Sequence, residues 1–190
     1  MCIRDSDRGI HICKSMVAWK KFGNNSTPDS EGLKGDHFVG KYYIKYNQEY
    51  QRQVKDLISS GFSGDDSKQK APILIEAKEM LLKWESGNKD VIKLWKMMND
   101  WVYEGFNKTY KKLNIQFDSI YYESETYLQG KDIVMDGLKN KIFFKKEDGS
   151  IWVDLSKEGL DEKILMRSNG TSVYITQDIG TAYLLSLIHI

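Results

Sequence analysis

The stretch Asn88–Ser124, NKDVIKLWKMMNDWVYEGFNKTYKKLNIQFDSIYYES, changes rhythm part-way along, and that change sets the fold class. Up to Leu113 its apolar residues recur at helical spacing. Val91, Leu94, Trp95, Met98, Trp101 and Val102 fall on one wide face. Asn88 and Asp90 are the two candidates to cap its start. After Leu113 the pattern in LNIQFDSIYYES alternates with period two, as in a half-buried strand. A long amphipathic helix thus runs into β structure.

Upstream of this stretch the chain reads as helical from Lys41 to about Leu113. Tyr43, Tyr46, Tyr50, Val54, Leu57 and Ile58 form one apolar stripe. Pro72 suits a first helical turn, where its missing N–H goes unused, and ILIEAKEMLLKWESG stops at Gly87. Earlier still, DRGIHICKSMVAWKKFGNN reads as a turn and a helix with Ile10, Cys13, Met16 and Val17 on one face. Gly23 and Asn24 end it. STPDSEGLKGD reads as a loop. The stripes pack most simply on one another as antiparallel helices.

Downstream, DIVMDGLKNK reads as a short helix and two hairpins follow. IFFKKEDGSIWVDL sets Asp148-Gly149 between two strand-like runs, and KILMRSNGTSVYIT does the same with Asn169-Gly170. Both dipeptides accept the positive φ that tight hairpin turns demand. VYITQDIGTAYL then runs from a strand into a helix near Asp178. Periodicity leaves α/β and α+β both open, and the layout is what a helical insertion within an α/β domain would look like.

Composition adds limits. Of 190 residues, 41% are hydrophobic and 29% charged, as in an ordinary globular protein. The formal net charge of +1 gives no bias toward or against nucleic acid. No apolar run approaches the ~18 residues of a membrane span, and no secretory signal is visible. The two ends are peculiar. One permitted codon string for Leu185–Ile190 has a reverse complement that, one base in, spells Met1–Asp5 and opens a serine codon for Ser6. That string resembles a transposon end used to fragment DNA. Met1–Ser6 and Leu185–Ile190 are therefore expected to be adapter-derived and are set aside. Asp7–Leu184 is expected to be an internal piece of a longer protein. Cys13 is then the one remaining cysteine, which leaves no disulfide framework and weakly favours a reducing compartment.

Candidate chemistry is sparse. There is neither a GxxxxGK[ST] loop nor a GxGxxG fingerprint. His11 and His37 sit in no metal-binding spacing. Lys108–Lys112 (KTYKK) and Lys139–Lys146 (KNKIFFKK) interleave lysine with aromatic residues. They suit phosphate contact and base stacking, or equally a solvated helix face and a hairpin surface. In GTSVYITQDIGTA, Tyr174 and Asp178 lie four apart across the strand-to-helix junction. In open α/β sheets ligands bind near helix N-termini at strand ends. A carboxylate there takes a guanidinium or ammonium group, with tyrosine adding a cation–π or polar contact. On spacing alone, the simpler reading is that Asp178 caps the helix and Tyr174 is core.

The blocks DRGIHICKSM, KGDHFVGKYY, ILIEAKEMLLKWESGNKDVIKLWKMMNDWVYEGFNKTYKKLNIQFDSIYYESETYL and RSNGTSVYITQDIGTA, in that order, resemble the bacterial arginyl-tRNA synthetase family. The resemblance spans essentially all of Asp7–Ala182. Its most specific markers are TYKKLNIQFDSIYYES and the Tyr-X-X-X-Asp segment within GTSVYITQDIGTA. It implies an α/β fold: part of a class I Rossmann-type catalytic domain interrupted by a mostly helical connective insertion. Residues 7–40 would be a catalytic-domain segment and 41–130 the insertion. Residues 131–184 would return to the catalytic α/β domain with its two hairpins.

The family resemblance also implies an activity. The parent protein would join arginine to AMP, release pyrophosphate, and transfer the arginyl group to the terminal adenosine of tRNA(Arg). Arginine, ATP and tRNA(Arg) would be its partners, with Mg2+ accompanying ATP and no metal bound in this piece. Tyr174 and Asp178 would hold the substrate guanidinium. A buried carboxylate there would pair with the guanidinium fork and reject lysine. Asp7-Arg8-Gly9 would be structural and close to the tRNA end.

The family's His-X-Gly-His and Lys-Met-Ser-Lys-Ser type motifs are not in the sequence, so no catalytic residue is assigned and the piece alone is expected to be inactive. Asn169 stands where the family carries aspartate in Asp-Gly-Thr. The parent is expected to be cytoplasmic, with neither membrane nor disulfide partner. The competing reading is a non-catalytic helical interaction or tRNA-binding module derived from such an enzyme.

Overall fold

The computed structural model describes residues 2–189, and the side chains of residues 5–186. The adapter expectation for Met1 and Ile190 therefore lies outside the described residues. The chain divides into two compact units, Arg8–Gln116 and a second made of residues 1–7 with Phe117–Ile190.

The first unit is helical. It contains α1 (Ile10–Phe22), α2 (Pro28–Glu31), α3 (Gly35–Ser59), α4 (Gly64–Lys70), α5 (Pro72–Glu85) and α6 (Lys89–Leu113). α1 packs against α3, α5 and α6. Its buried Cys13, Met16, Val17 and Ala18 meet Phe38, Tyr42 and Tyr46 of α3, Ile73, Ala77 and Leu81 of α5, and Met98 of α6. The face expected on α6 is the one that joins this core: Val91, Leu94, Trp95 and Trp101 pack around Met98. Asn88 is the cap, its side chain accepting from the Val91 N–H at 3.2 Å. Pro72 opens α5.

Two expectations change here. The helical run begins at Gly35 rather than Lys41, because the supposed loop contains α2, closed by a Thr27–Ser30 capping box and a left-handed Gly32. The stripe of α3 holds at Tyr46 and Val54, but its N-terminal part runs through Phe38 and Tyr42 rather than Tyr43. Phe38, Tyr42, Tyr46 and Val54 are buried, whereas Tyr43 and Ile58 are exposed. The buried set repeats every four residues, and Tyr43 lies a full ~100° from Tyr42 around the helix. α3 and α6 approach so closely that a Cβ on Gly35 would overlap the Trp101 carbonyl oxygen and stand 2.5 Å from its carbon.

The second unit holds all the strands: β1 (Cys2–Asp5), β2 (Ser119–Tyr122), β3 (Phe144–Lys145), β4 (Ile151–Val153) and β5 (Lys163–Met166), with α7 (Glu123–Lys139) and α8 (Tyr174–His189). β1 and β2 pair in parallel, Ile3 opposite Ile120 and Asp5 opposite Tyr122. Among the described residues this is the one parallel pair, so the structure shows a mixed helical protein with small sheets. β3, β4 and β5 form an antiparallel sheet. Ile151, Leu165 and Met166 of that sheet bury against Val134 of α7, with Ile175 and Ile179 of α8 beside them.

The Asp148-Gly149 hairpin forms as expected. Asp148 Oδ1 accepts from the Ser150 N–H at 2.9 Å, and Lys146 N–H bonds to the Ser150 carbonyl at 2.9 Å. α7 is longer than the short helix expected, starting directly after Tyr122. The second hairpin is cut short. Its outgoing arm survives as one bridge, Met166 to Ser172. The segment read as a strand, VYIT, is helical from Tyr174 onward. Among the described residues no helix is long and apolar enough to cross a membrane.

Candidate substrate-binding site

Tyr174 and Asp178 lie on the first two turns of α8, one turn apart and hence on one face. The junction that aims them is built from polar contacts. Asn169 Oδ1 accepts from the Thr171 N–H at 3.1 Å and its hydroxyl at 2.8 Å, an Asx turn that carries Gly170 at φ 79°. Asparagine thus does the work expected of an aspartate at that place. Arg167 Nη1 reaches across the turn to the Ser172 carbonyl at 2.8 Å and to Thr171 Oγ1 at 3.3 Å.

Thr176 is fully buried. Its hydroxyl accepts from the Val173 N–H at 3.2 Å and donates to the Leu165 carbonyl, tying the start of α8 to β5. This contact is why VYIT is helical despite its β-branched residues: tertiary hydrogen bonding outweighs a weak local preference. One turn on, Thr181 bonds to the Gln177 carbonyl at 3.0 Å and to Thr126 of α7 at 3.2 Å. A Cβ on Gly130 would overlap the Thr176 carbonyl oxygen, so the α7–α8 crossing tolerates only glycine there.

With Thr176, Gln177, Gly180 and Thr181 turned inward, Tyr174 and Asp178 face outward. Tyr174 is 57% exposed. Asp178 is exposed as well, where a buried carboxylate was expected. A carboxylate and a phenol ring one helical turn apart can take a planar cation between them, the carboxylate by charge-assisted hydrogen bonds and the ring by its face or hydroxyl.

The other candidates resolve differently. Asp7 caps α7: Oδ1 accepts from the Ser124 N–H at 2.8 Å and Oδ2 from its hydroxyl at 2.5 Å. Ser6 donates to the buried Glu123 at 2.7 Å. At this end of the parallel pair, burial and then the neighbouring Asp7 raise the Asp5 carboxyl above its ordinary value. Burial, then Asp5, Asp7 and Glu125, raise the Tyr122 phenol. Asp7 was expected to be structural, but its partner Ser124 lies 117 residues away and is not legible locally, and the same separation hides Glu123.

Arg8 belongs to the helical unit, where it pairs with Glu85 at 2.5 Å and lies over the Trp84 ring at 5.0 Å. Gly9, at φ 108°, opens α1. His11 Nδ1 is 3.0 Å from the Tyr43 hydroxyl, and burial with nearby Lys14 holds the imidazole below its ordinary pKa. His37 is exposed. In the second lysine cluster, Lys139 pairs with Asp136 at 3.0 Å and Lys146 pairs with Glu162 at 2.8 Å. Those lysines behave as a solvated surface.

Comparison with known proteins identifies the class. The family described as "tRNA synthetases class I (R), catalytic domain" matches residues 17–185. The chain belongs to this arginyl-tRNA synthetase family. It is 58% identical over 179 residues to an arginine–tRNA ligase of Bacteroides thetaiotaomicron, which covers 94% of this chain and 30% of the relative. To the Flavobacterium psychrophilum arginine–tRNA ligase it is 56% identical over 177 residues, 93% of the chain and 30% of the relative. The chain therefore spans about 30% of the length of the curated relatives it matches. The Thermus thermophilus arginyl-tRNA synthetase structure superposes with a TM-score of 0.54 at 21% identity, over 96% of this chain and 28% of that one. At that identity the likeness speaks for the fold.

Proposed function

We propose that this chain is a portion of an arginine–tRNA ligase that activates arginine with ATP and transfers the arginyl group to tRNA(Arg) in the cytoplasm. The observation that carries the reading is 58% identity to an arginine–tRNA ligase over 94% of the chain. Asp178 takes the substrate guanidinium through paired N–H···O bonds, and Tyr174 flanks it. Lysine would be rejected because its ammonium cannot make that fork.

β2 and the α7–α8 layer belong to the Rossmann-type catalytic domain, and the helical unit to the connective insertion; β1, Cys2–Asp5, falls within the segment expected to be adapter-derived and is left out of that assignment. The helical body extends over Arg8–Gln116, so against the expected insertion of 41–130 it takes in residues 8–40 and leaves 117–130, with β2 and the start of α7, to the other unit. Mg2+ would travel with ATP. Among the described residues no group of three or more His, Cys, Asp or Glu side chains could hold a metal ion. In this chain the work falls to the pair that orients arginine. ATP handling falls to motifs the sequence does not contain, and the chain alone is expected to be inactive.

The test is arginine-dependent exchange of pyrophosphate into ATP. In a full-length ligase carrying this segment, Asp178→Ala should lower kcat/KM for arginine by about 10- to 100-fold, the ~1.5–3 kcal/mol of a hydrogen bond to a charged group. An unchanged kcat/KM would overturn the assignment. Exchange catalysed by the 190-residue chain itself would overturn its expected inactivity.

A further inference from the structure

The lysine cluster at the end of α6 has a structural setting that its sequence did not show. A groove of about 650 Å3 runs in the helical unit between the α2–α3 connection and the last turns of α6. Lys34, His37, Lys108 and Lys112 line it, and Leu33 and Leu113 form apolar walls, 39% and 62% exposed. Lys108 and Lys112 stand one turn apart, about 6 Å along the helix axis, and so present two cations in a row. Lys34 reaches in from the other side, its Nζ donating to Thr109 Oγ1 at 2.5 Å and lying 2.9 Å from Asp36 Oδ2.

The groove's cations differ in how they are held. The side chains of Lys112 and His37 make neither hydrogen bond nor ion pair among the described residues. Lys108 pairs with Glu104 at 2.7 Å, but both side chains are more than half exposed. Such a pair is held weakly and exchanges readily for a stronger anion. Two lysines in the last turn of α6 also suit the negative end of the helix dipole, which explains Lys111 and Lys112 but neither the groove nor the basic residues on its opposite bank.

We propose that this groove is a docking surface for an RNA sugar–phosphate backbone. Lys108, Lys112 and Lys34 would contact phosphates, and Leu33 and Leu113 would lie against sugar or base faces. A strand fits the groove's concave shape, whereas a bilayer surface is flat. The choice of RNA rests on the ligase reading of the parent, while the cation placement stands independently of it.

The experiment uses the whole 190-residue chain and a fluorescein-labelled RNA hairpin, with binding read by anisotropy between about 50 and about 200 mM salt. Lys108→Glu combined with Lys112→Glu should weaken binding about tenfold and lower the salt slope by about two, one for each phosphate no longer neutralised. Lys139→Glu combined with Lys145→Glu makes the same charge change on the hairpin unit and should leave binding near the parent value. Lys112→Gln, a milder change at an exposed position, should reduce the slope by about one. Equal weakening by both double variants would overturn the proposal, since net charge alone would then be acting. So would no weakening by either, or groove-dependent binding to phosphatidylserine vesicles in preference to RNA. Arginine does not enter this readout. Groove-dependent RNA binding beside a failed pyrophosphate-exchange test would sink the arginine site and leave the groove standing.

Discussion

Gly35 and Gly40 sit five residues apart on α3, yet alanine at each should move stability in opposite directions. A Cβ at Gly35 would overlap the Trp101 carbonyl oxygen and stand 2.5 Å from its carbon, where α3 crosses α6. Both colliding atoms are backbone, so relief requires the helices to part by roughly 1 Å. Overpacking of this kind costs about 1–3 kcal/mol, here toward the upper end. Alanine's helix preference, worth up to about 1 kcal/mol inside a helix, returns little at the first helical residue. The net expectation is a loss of about 2 kcal/mol.

At Gly40 nothing lies within 4 Å of an added Cβ. There alanine should stabilise by about 0.5–1 kcal/mol through backbone entropy alone. The two variants should thus differ by about 3 kcal/mol, roughly two decades in the unfolding constant. Urea unfolding followed by tryptophan fluorescence suits the question, because Trp19, Trp84, Trp95 and Trp101 all lie in the helical unit and only Trp152 lies in the other. At a slope of ~2 kcal/mol per molar urea, Gly35→Ala should lower the midpoint by about 1 M. A Gly35→Ala protein as stable as its parent would refute the close α3–α6 crossing and the packing argument built on it.

Two further measurements address titrating groups. Burial pushes the Cys13 thiol up to about 12, against a smaller opposing pull from Arg8, and the side chain is 2% exposed. Iodoacetamide at pH 8 should therefore leave Cys13 unmodified in the folded chain and alkylate it once urea unfolds the helical unit, as peptide mapping by mass spectrometry would show. Rapid native labelling would mean that α1 opens locally. Arg52 donates to both carboxylate oxygens of Glu49, at 3.0 and 2.6 Å, and this pairing, helped by Gln53, draws Glu49 down to about 2. Because the folded value lies below the unfolded one of about 4.3, the pair's small contribution is present above pH ~4.3 and fades as pH falls toward 2. NMR titration should find Glu49 near that low value, and back toward the ordinary carboxylate range in Arg52→Ala. An unchanged Glu49 in that variant would show that Arg52 is not its cause.

The parts of the fold that were legible are those decided locally. α6 followed from its apolar face and Asn88, the start of α5 from Pro72, and the β3–β4 turn from Asp148-Gly149, because each depends on residues within a few positions of one another. What stayed hidden depends on distant partners. The parallel β1–β2 pair joins segments more than a hundred residues apart, as Cys2 opposite Ser119 shows. The N-terminal part of the α3 stripe also depends on a distant partner, Trp101, which packs edge-on against Phe38 at 5.3 Å.

The start of α8 is the clearest instance, and it bears on the candidate site. Family resemblance points to Tyr174 and Asp178, whereas spacing alone favours a cap and a core tyrosine. The helix they ride turns polar residues inward beside the core-packing Ile175 and Ile179. Its inward face carries Thr176, Gln177, Gly180 and Thr181, while Tyr174 and Tyr183 are exposed. An apolar stripe would leave the helix free to rotate by some tens of degrees with little loss, because burial is non-directional. Hydrogen bonds do not allow that freedom. Thr176 must find the Leu165 carbonyl, Thr181 must find Thr126, and Gly130 must meet the backbone at Thr176. A polar inward face thus fixes the rotation of α8, and with it the direction in which Tyr174 and Asp178 point. Periodicity could not report this, because the residues that set the angle are polar ones that a search for apolar faces passes over.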